Sequence, residues 1–414
     1  MPGMSGFDFD TVILGAGAAG LMAAIHAADR GRRVLLLEKG RKPGVKILMS
    51  GGTRCNITHH CDTRGIVAAF GPNGKFLHSA LAGFTPQQVV EFFHGEGVAT
   101  KVEETGKVFP VSDRALDVLN ALLRRLERSG AKLALAEPAV DVEAIDGGFR
   151  VSTPLRQITC EHLLITTGGL SYPGCGTTGD GYEFARKFGH TVVPTRPSLV
   201  PLTTQPAWVP ELKGVTIPDV SLKVFDGGPK PLSSRRGALL FAHFGLTGPA
   251  AMDISRAVSG HPEPAKLTLE IDFLPNEAEQ QYEQFLQTET AANGKKLLAG
   301  VMADRITRRL ADQMVKLAGL PVDRTAAALS KDDRRKLVSL AKRMRIPLRG
   351  TLGYEKAEVT AGGVSLDEVD SRTMQSKRQP GLFFAGEVLD LDGWIGGYNF
   401  QSAWSTGRLA ARFL

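Results

Sequence analysis

The stretch from Thr11 to Gly40, "TVILGAGAAGLMAAIHAADRGRRVLLLEKG", restricts the possible folds more than any other part of the chain. Val12, Ile13 and Leu14 form an unbroken apolar run, as a parallel strand buried on both faces requires. Gly15, Gly17 and Gly20 then give the spacing G-x-G-x-x-G, and Ala18 and Ala19 open a helix. The first glycine permits a tight turn, the second lets a pyrophosphate approach the backbone, and the third lets the helix pack close to the strand. Helix N-terminal amides favour the negative charge of that pyrophosphate. Leu35, Leu36 and Leu37 make a second strand that ends at Glu38, 18 residues after Gly20, placed to accept hydrogen bonds from ribose hydroxyls. A carboxylate there repels a 2′-phosphate, so the pattern predicts FAD or NAD, with Lys39 beside the same site.

The far end of the chain favours FAD. Leu382, Phe383 and Phe384 read as a buried strand that breaks at Ala385-Gly386 and is followed by Glu387, Asp390 and Asp392. Gly396-Gly397 then opens a last helix that begins with Tyr398 and Asn399. In flavoenzymes of the glutathione-reductase type, such a returning strand brings an acid to the ribityl chain. The helix after it points its N-terminus at the flavin, where its dipole stabilises negative charge on the reduced ring. A third strand, Leu163–Thr166, ends in Thr167-Gly168-Gly169, the kind of turn that flavoproteins carry where the chain passes the cofactor. No second G-x-G-x-x-G follows a strand, so a nicotinamide donor would visit rather than reside.

The segment "KILMSGGTRCNIT", from Lys46 to Thr58, together with "TTGGLSYPGCGTTGDGY", "FAHFGLTGPAAMDISR", "AEVTAGGV" and "GLFFAGEVLDLDGWIGGYNFQSAWSTG", resembles one family over nearly the whole chain. That family is the HI0933-like (BaiN/RdsA-type) NAD(P)/FAD-dependent oxidoreductases. The resemblance implies that Ser50, Gly51, Gly52, Arg54 and Asn56 wrap the cofactor, with Lys46, Gly386, Glu387, Asp390, Gly397, Tyr398 and Asn399 also facing it. Two positions depart from the pattern: Thr53, where glycine is frequent, and Cys175, where a small hydroxyl residue is usual. The family is associated with bile-acid enones and with a uridine of large-subunit ribosomal RNA. The implied reaction is therefore reduction of a C=C bond polarised by a carbonyl, with hydride from reduced flavin and a proton from an acid. Cys55, Tyr172, His243 and Tyr398 are the candidate acids. The N-terminus of a helix near Gly248-Pro249 could polarise the substrate carbonyl.

The fold class expected is α/β: a Rossmann-like FAD-binding domain of the glutathione-reductase type with an insertion. The flavin domain would occupy 1–195 and 346–414. Short β-like runs over 196–275 suggest a β-rich inserted domain, a small barrel in the family, and 276–345 a basic helical one. Charge is uneven. The chain has a formal net charge of +7, yet residues 300–349 alone carry 13 Lys/Arg against five Asp/Glu. Arg334, Arg335, Lys336, Lys342, Arg343 and Arg345 form the densest part, a candidate face for ribosomal RNA. A small unsaturated carbonyl substrate, or a non-catalytic RNA-binding role, are the competing readings. The sequence contains no apolar run long enough for a membrane span, no leader-like start and no metal-ligand spacing, and a large chain with four cysteines suits free thiols. A cytoplasmic protein without membrane partners is expected.

Overall fold

The computed structural model describes residues 6–414, with backbone only at Ala328. The first five residues, which carry part of the leader argument and begin the expected 1–195 segment, lie outside the described residues. The chain divides into two compact units, residues 1–196 with 359–414, and residues 197–358.

The first unit is built on a seven-stranded sheet. Phe9–Leu14 lies between Val34–Glu38 and Gln157–Ile165, parallel to both, and Lys132–Leu135 extends the sheet beyond Val34–Glu38. Strand Gln157–Ile165 is used twice along one edge. Its first half pairs antiparallel with Gly148–Ser152 and its second half pairs parallel with Leu382–Phe384. The chain's last strand thereby enters beside Leu163–Ile165, and the five parallel strands all run towards the side where the glycine turns lie. Both faces of Phe9–Leu14 are covered, so Val12, Ile13 and Leu14 are buried without alternation. The helix Ala18–Ala28 packs against the last helix, Tyr398–Ala410, so closely that a Cβ on Gly407 would sit on the carbonyl of Ala19. A three-stranded sheet of Thr58–His59, Lys107–Pro110 and Thr100–Val102 completes the site side.

The second unit contains a closed six-stranded barrel, in the order Leu202–Thr204, Gly245–Thr247, Ser233–Ala242, Thr216–Phe225, Thr268–Asp272, Met344–Thr351. In the closing strand Met344, Ile346 and Leu348 face inward while Arg345, Pro347 and Arg349 face out, the period-two pattern of a barrel wall. Helices Glu279–Ala292, Arg308–Leu317 and Lys331–Lys342 do not form a separate body. Tyr282, Leu286, Leu310, Met314 and Leu337 share one core with the barrel residues Leu269, Ile271 and Ile346. Two expected boundaries therefore move. The division at 275/276 disappears, and the return to the flavin unit falls at 359 instead of 346, because Met344–Thr351 pairs with Thr268–Asp272 and closes the barrel. Among the described residues no helix is long and apolar enough to cross a membrane, and no cluster of His, Cys, Asp and Glu is arranged to hold a metal ion. The four cysteines are free thiols.

Candidate functional site

The three glycines of the first turn have three different surroundings. Gly15 has φ +100, and a Cβ there would lie 2.8 Å from the Thr166 carbonyl oxygen. A Cβ on Gly20 would press into the carbonyl of Gly15 and reach 2.7 Å from Thr166 Oγ1, so only glycine lets the helix approach the strand. Gly17 caps the helix Ala18–Ala28, and a Cβ there would meet nothing within 4 Å. The space a phosphate needs is therefore open at the second glycine and closed at the other two. Glu38 ends its strand with Oε2 accepting from Ala16 N–H at 2.9 Å and Oε1 from Gly40 N–H at 2.7 Å. These bonds fix the carboxylate, and each oxygen keeps a further lone pair for a ribose hydroxyl.

The Ser50–Cys55 segment turns left-handed. Gly51, Gly52, Thr53 and Cys55 have φ of +56, +67, +69 and +64. Gly51 is pinned by Phe109 and Asn56, whereas Gly52 faces open space. Thr53 carries a β-branched side chain in a conformation suited to glycine, which accounts for the glycine frequent at that position. Asn56 is buried and its Oδ1 accepts no hydrogen bond; Thr167 Oγ1, also buried, is likewise without a partner among the described residues. Asn56 Oδ1 lies beside Gly397, at 2.8 Å from where a Cβ on that glycine would stand.

Two further segments are tied in by one ion pair. Lys46 Nζ meets Glu387 Oε2 at 2.5 Å, and Glu387 Oε1 accepts from Thr360 N–H at 3.0 Å. Thr360 Oγ1 accepts from the N–H groups of Leu170 and Ser171, and a Cβ on Gly169 would collide with it. The helix at Lys46, the turn at Gly169, the strand at Thr360 and the short helical turn at Glu387 are thus held as a single piece. Gly168, with φ +73, and Gly386, with φ +77, supply the reversals.

Several residues expected to face the cofactor have polar groups engaged with protein. Lys39 bonds Asp180 at 2.6 Å and Thr178 at 2.5 Å. Arg54 lies 3.9 Å over the ring of Phe109 and pairs with Glu103 at 2.6 Å, so it has packing to hold despite its glycine neighbours. Asp390 accepts from Asn73. Asn399 accepts from Gly393 N–H and donates to the carbonyls of Gly393 and Trp394, bracing the loop before the last helix. Ser50 bonds the carbonyl of Ile47.

The four candidate acids are differently placed. Cys55 is 0% exposed and burial pushes its thiol up to about 12, which makes it a poor proton donor at neutral pH. Tyr172 has φ +55 at the turn before Pro173–Cys175. Tyr398 opens the last helix and stacks on His59, with ring centroids 4.5 Å apart and planes at 19°. His243 belongs to the second unit, at the turn between Ser233–Ala242 and Gly245–Thr247. There the helix Pro249–Ser259 begins at Gly248. Sequence reasoning missed His59 and Thr360. Thr360 stands in a quoted motif, but nothing in a motif tells that a hydroxyl will hold a turn nearly two hundred residues away.

The open space at Gly17 and Gly52, the two unpartnered buried oxygens and the fixed Glu38 carboxylate fit FAD. The profile of the HI0933-like protein Rossmann domain matches residues 9–413. The chain belongs to the HI0933-like family. As a member of it, the protein is an FAD-dependent oxidoreductase. It is 38% identical to "Ribosomal RNA dihydrouridine synthase" of Escherichia coli strain K12 over 409 residues, covering 98% of each chain. It is 35% identical to the Haemophilus influenzae protein of the same name, with 97% of each chain covered. A "3-dehydro-bile acid delta(4,6)-reductase" of Clostridium scindens is 30% identical, again over 97% of each.

Proposed function

We propose that this protein reduces the C=C bond of a uridine base in ribosomal RNA to dihydrouridine, in the cytoplasm, with NAD(P)H as a transient donor. The observation that carries the reading is the full-length similarity to two relatives named for that reaction, at higher identity than the bile-acid reductase. Bound FAD, once reduced, supplies the hydride. The protein's part is to hold the phosphates at Gly17, fix the ribose with Glu38 and present the reacting face to a base that has left its stack. Within the flavin unit, protonation of the second carbon falls to Tyr172 or Tyr398, since the Cys55 thiol is buried and hard to ionise.

The basic segment supports an RNA substrate in a narrower form than its composition suggests. Lys342 is buried: its Nζ bonds the carbonyls of Leu274 and Glu277 at 2.5 Å and Asp272 at 2.9 Å. Arg334, Arg343 and Arg345 pair with Glu283, Glu279 and Glu270. Acids from 270–283 thus neutralise much of the run. Lys316, Lys331, Arg335 and Arg349 are exposed and, among the described residues, carry no ion pair; they are the cations proposed to meet phosphate.

The test is mass mapping of dihydrouridine in ribosomal RNA from a deletion strain, with the RNA then treated with purified protein and NAD(P)H. Loss of one dihydrouridine in the strain and its return in vitro is the expected result. RNA left unmodified, with a small enone re-oxidising the reduced protein, would replace this reading by small-molecule reduction. Reduced protein that neither substrate re-oxidises would leave only RNA binding.

A further inference from the structure

The residues Ile57, Thr58 and His59 follow the Arg54-Cys55-Asn56 motif, and each grips the last helix at a different height. The Ile57 carbonyl accepts from Trp404 Nε1 at 2.9 Å. Thr58 Oγ1 donates to Gln401 Oε1 at 2.5 Å. The Thr58 carbonyl group lies against Gly397, at 2.5 Å from where a Cβ would stand. Positions 397, 401 and 404 fall on one side of a helix, so this short strand sets the depth to which the helix enters. His59 is the member that reaches the turn itself.

The His59 ring is held on both edges. Nδ1 is 3.0 Å from the Gly396 carbonyl oxygen, which has no proton to give, so Nδ1 carries the hydrogen and donates it. Nε2 faces the hairpin turn at Gly106, 2.6 Å from the site a Cβ would take. One face of the ring stacks on Tyr398. The turn needs such a restraint because Gly396 and Gly397, at φ +132 and +95, are both free of side chains and conformationally loose. Burial lowers the His59 pKa, the Gly396 carbonyl acts in the opposite direction, and the neighbouring Lys107 and His60 side chains add to the lowering. The geometry requires a hydrogen on Nδ1, and the lowered pKa favours the neutral ring that carries it there.

We infer that His59 is a positioning residue for bound flavin: its Nδ1–H fixes the Gly396–Gly397 peptide, and with it the N-terminal amides that the last helix presents to the cofactor. The inference concerns the cofactor side of the site and holds for either substrate class.

Two substitutions separate its parts. His59→Asn keeps a donor where Nδ1 stands and discards the ring. His59→Phe keeps a ring to stack on Tyr398 and discards the donor. FAD release from the holoenzyme on dilution is followed by recovery of flavin fluorescence, beside the visible circular dichroism of the bound flavin and the thermal midpoint. His59→Phe should bind FAD roughly 3- to 10-fold more weakly, the size of one neutral hydrogen bond. Its flavin dichroism should change while its midpoint after FAD removal stays near wild type. His59→Asn should restore both FAD affinity, to within about twofold, and the dichroic signal. Wild-type affinity and dichroism in His59→Phe would overturn the inference, as would equal weakening by both variants, which would mean that ring packing and not the donor matters.

Discussion

Gly17 and Gly20 stand three residues apart in one motif, and the fold assigns them opposite tasks. Gly17 has φ −82 and ψ −167, a conformation open to any residue, with no protein atom within 4 Å of a Cβ. Gly17→Ala should therefore change the stability of FAD-free protein only by the loss of a good helix cap, about 1 kcal/mol or less. The added methyl group enters the space left for the pyrophosphate. Overfilling a packed contact costs about 1–3 kcal/mol, which corresponds to roughly 5- to 150-fold weaker FAD binding. Gly17→Glu, which adds a negative charge at the same point, should give colourless protein. In Gly20→Ala the methyl meets the Gly15 carbonyl and Thr166 Oγ1 instead. A similar cost of about 1–3 kcal/mol then falls on folding and lowers the midpoint of FAD-free protein by about 2–12 °C. Thermal unfolding without FAD and titration by flavin fluorescence quenching measure the two quantities. The reasoning is refuted if Gly17→Ala binds FAD within twofold of wild type, or if Gly20→Ala leaves the FAD-free midpoint unchanged.

Thr53→Gly should stabilise the protein by about 1 kcal/mol, since it removes a β-branched residue from φ +69; a fall in the urea midpoint would show that the threonine is not strained. Lys342→Met should destabilise it by about 3–5 kcal/mol, leaving Asp272 and two carbonyls without their donor, whereas Lys331→Glu/Arg335→Glu should leave the thermal midpoint nearly unchanged and lower the salt dependence of RNA binding. Should Lys342→Met unfold no earlier than wild type, the inward placement of this lysine is wrong. Glu368 is opposed by burial, but Arg378 and the Thr191 backbone and hydroxyl outweigh it and hold its pKa near 2, down from 4.5. A depressed carboxylate stabilises the fold above its unfolded pKa, and that contribution fades as pH falls from about 4.5 towards 2. The stability difference between wild type and Glu368→Gln should shrink over that window; a constant difference would mean that ionisation of Glu368 contributes nothing.

The cofactor fold was legible in the sequence because local rules write it in a short span. Three glycines, two apolar runs and an acid within thirty residues leave a strand-turn-helix-strand unit as the arrangement that buries Val12–Leu14 and satisfies the turn. The last strand and helix carried the same signature. The extent of the inserted unit was not legible. Met344–Thr351 alternates in and out like any strand, and only its pairing with Thr268–Asp272 and Leu202–Thr204 decides that it closes a barrel. Charge was misread for a similar reason. A count along the chain registers Lys342 and Arg334 as surface, while folding brings acids from 270–283 against them. At the site, the sequence supplied the residues with backbone work to do: the glycines, the strand ends and Glu38. It did not supply His59 or Thr360, whose partners lie 337 and 190 residues away. A glycine's role is fixed by its own φ and nearest neighbours, whereas a side-chain hydrogen bond across the fold exists only once both ends have been brought together.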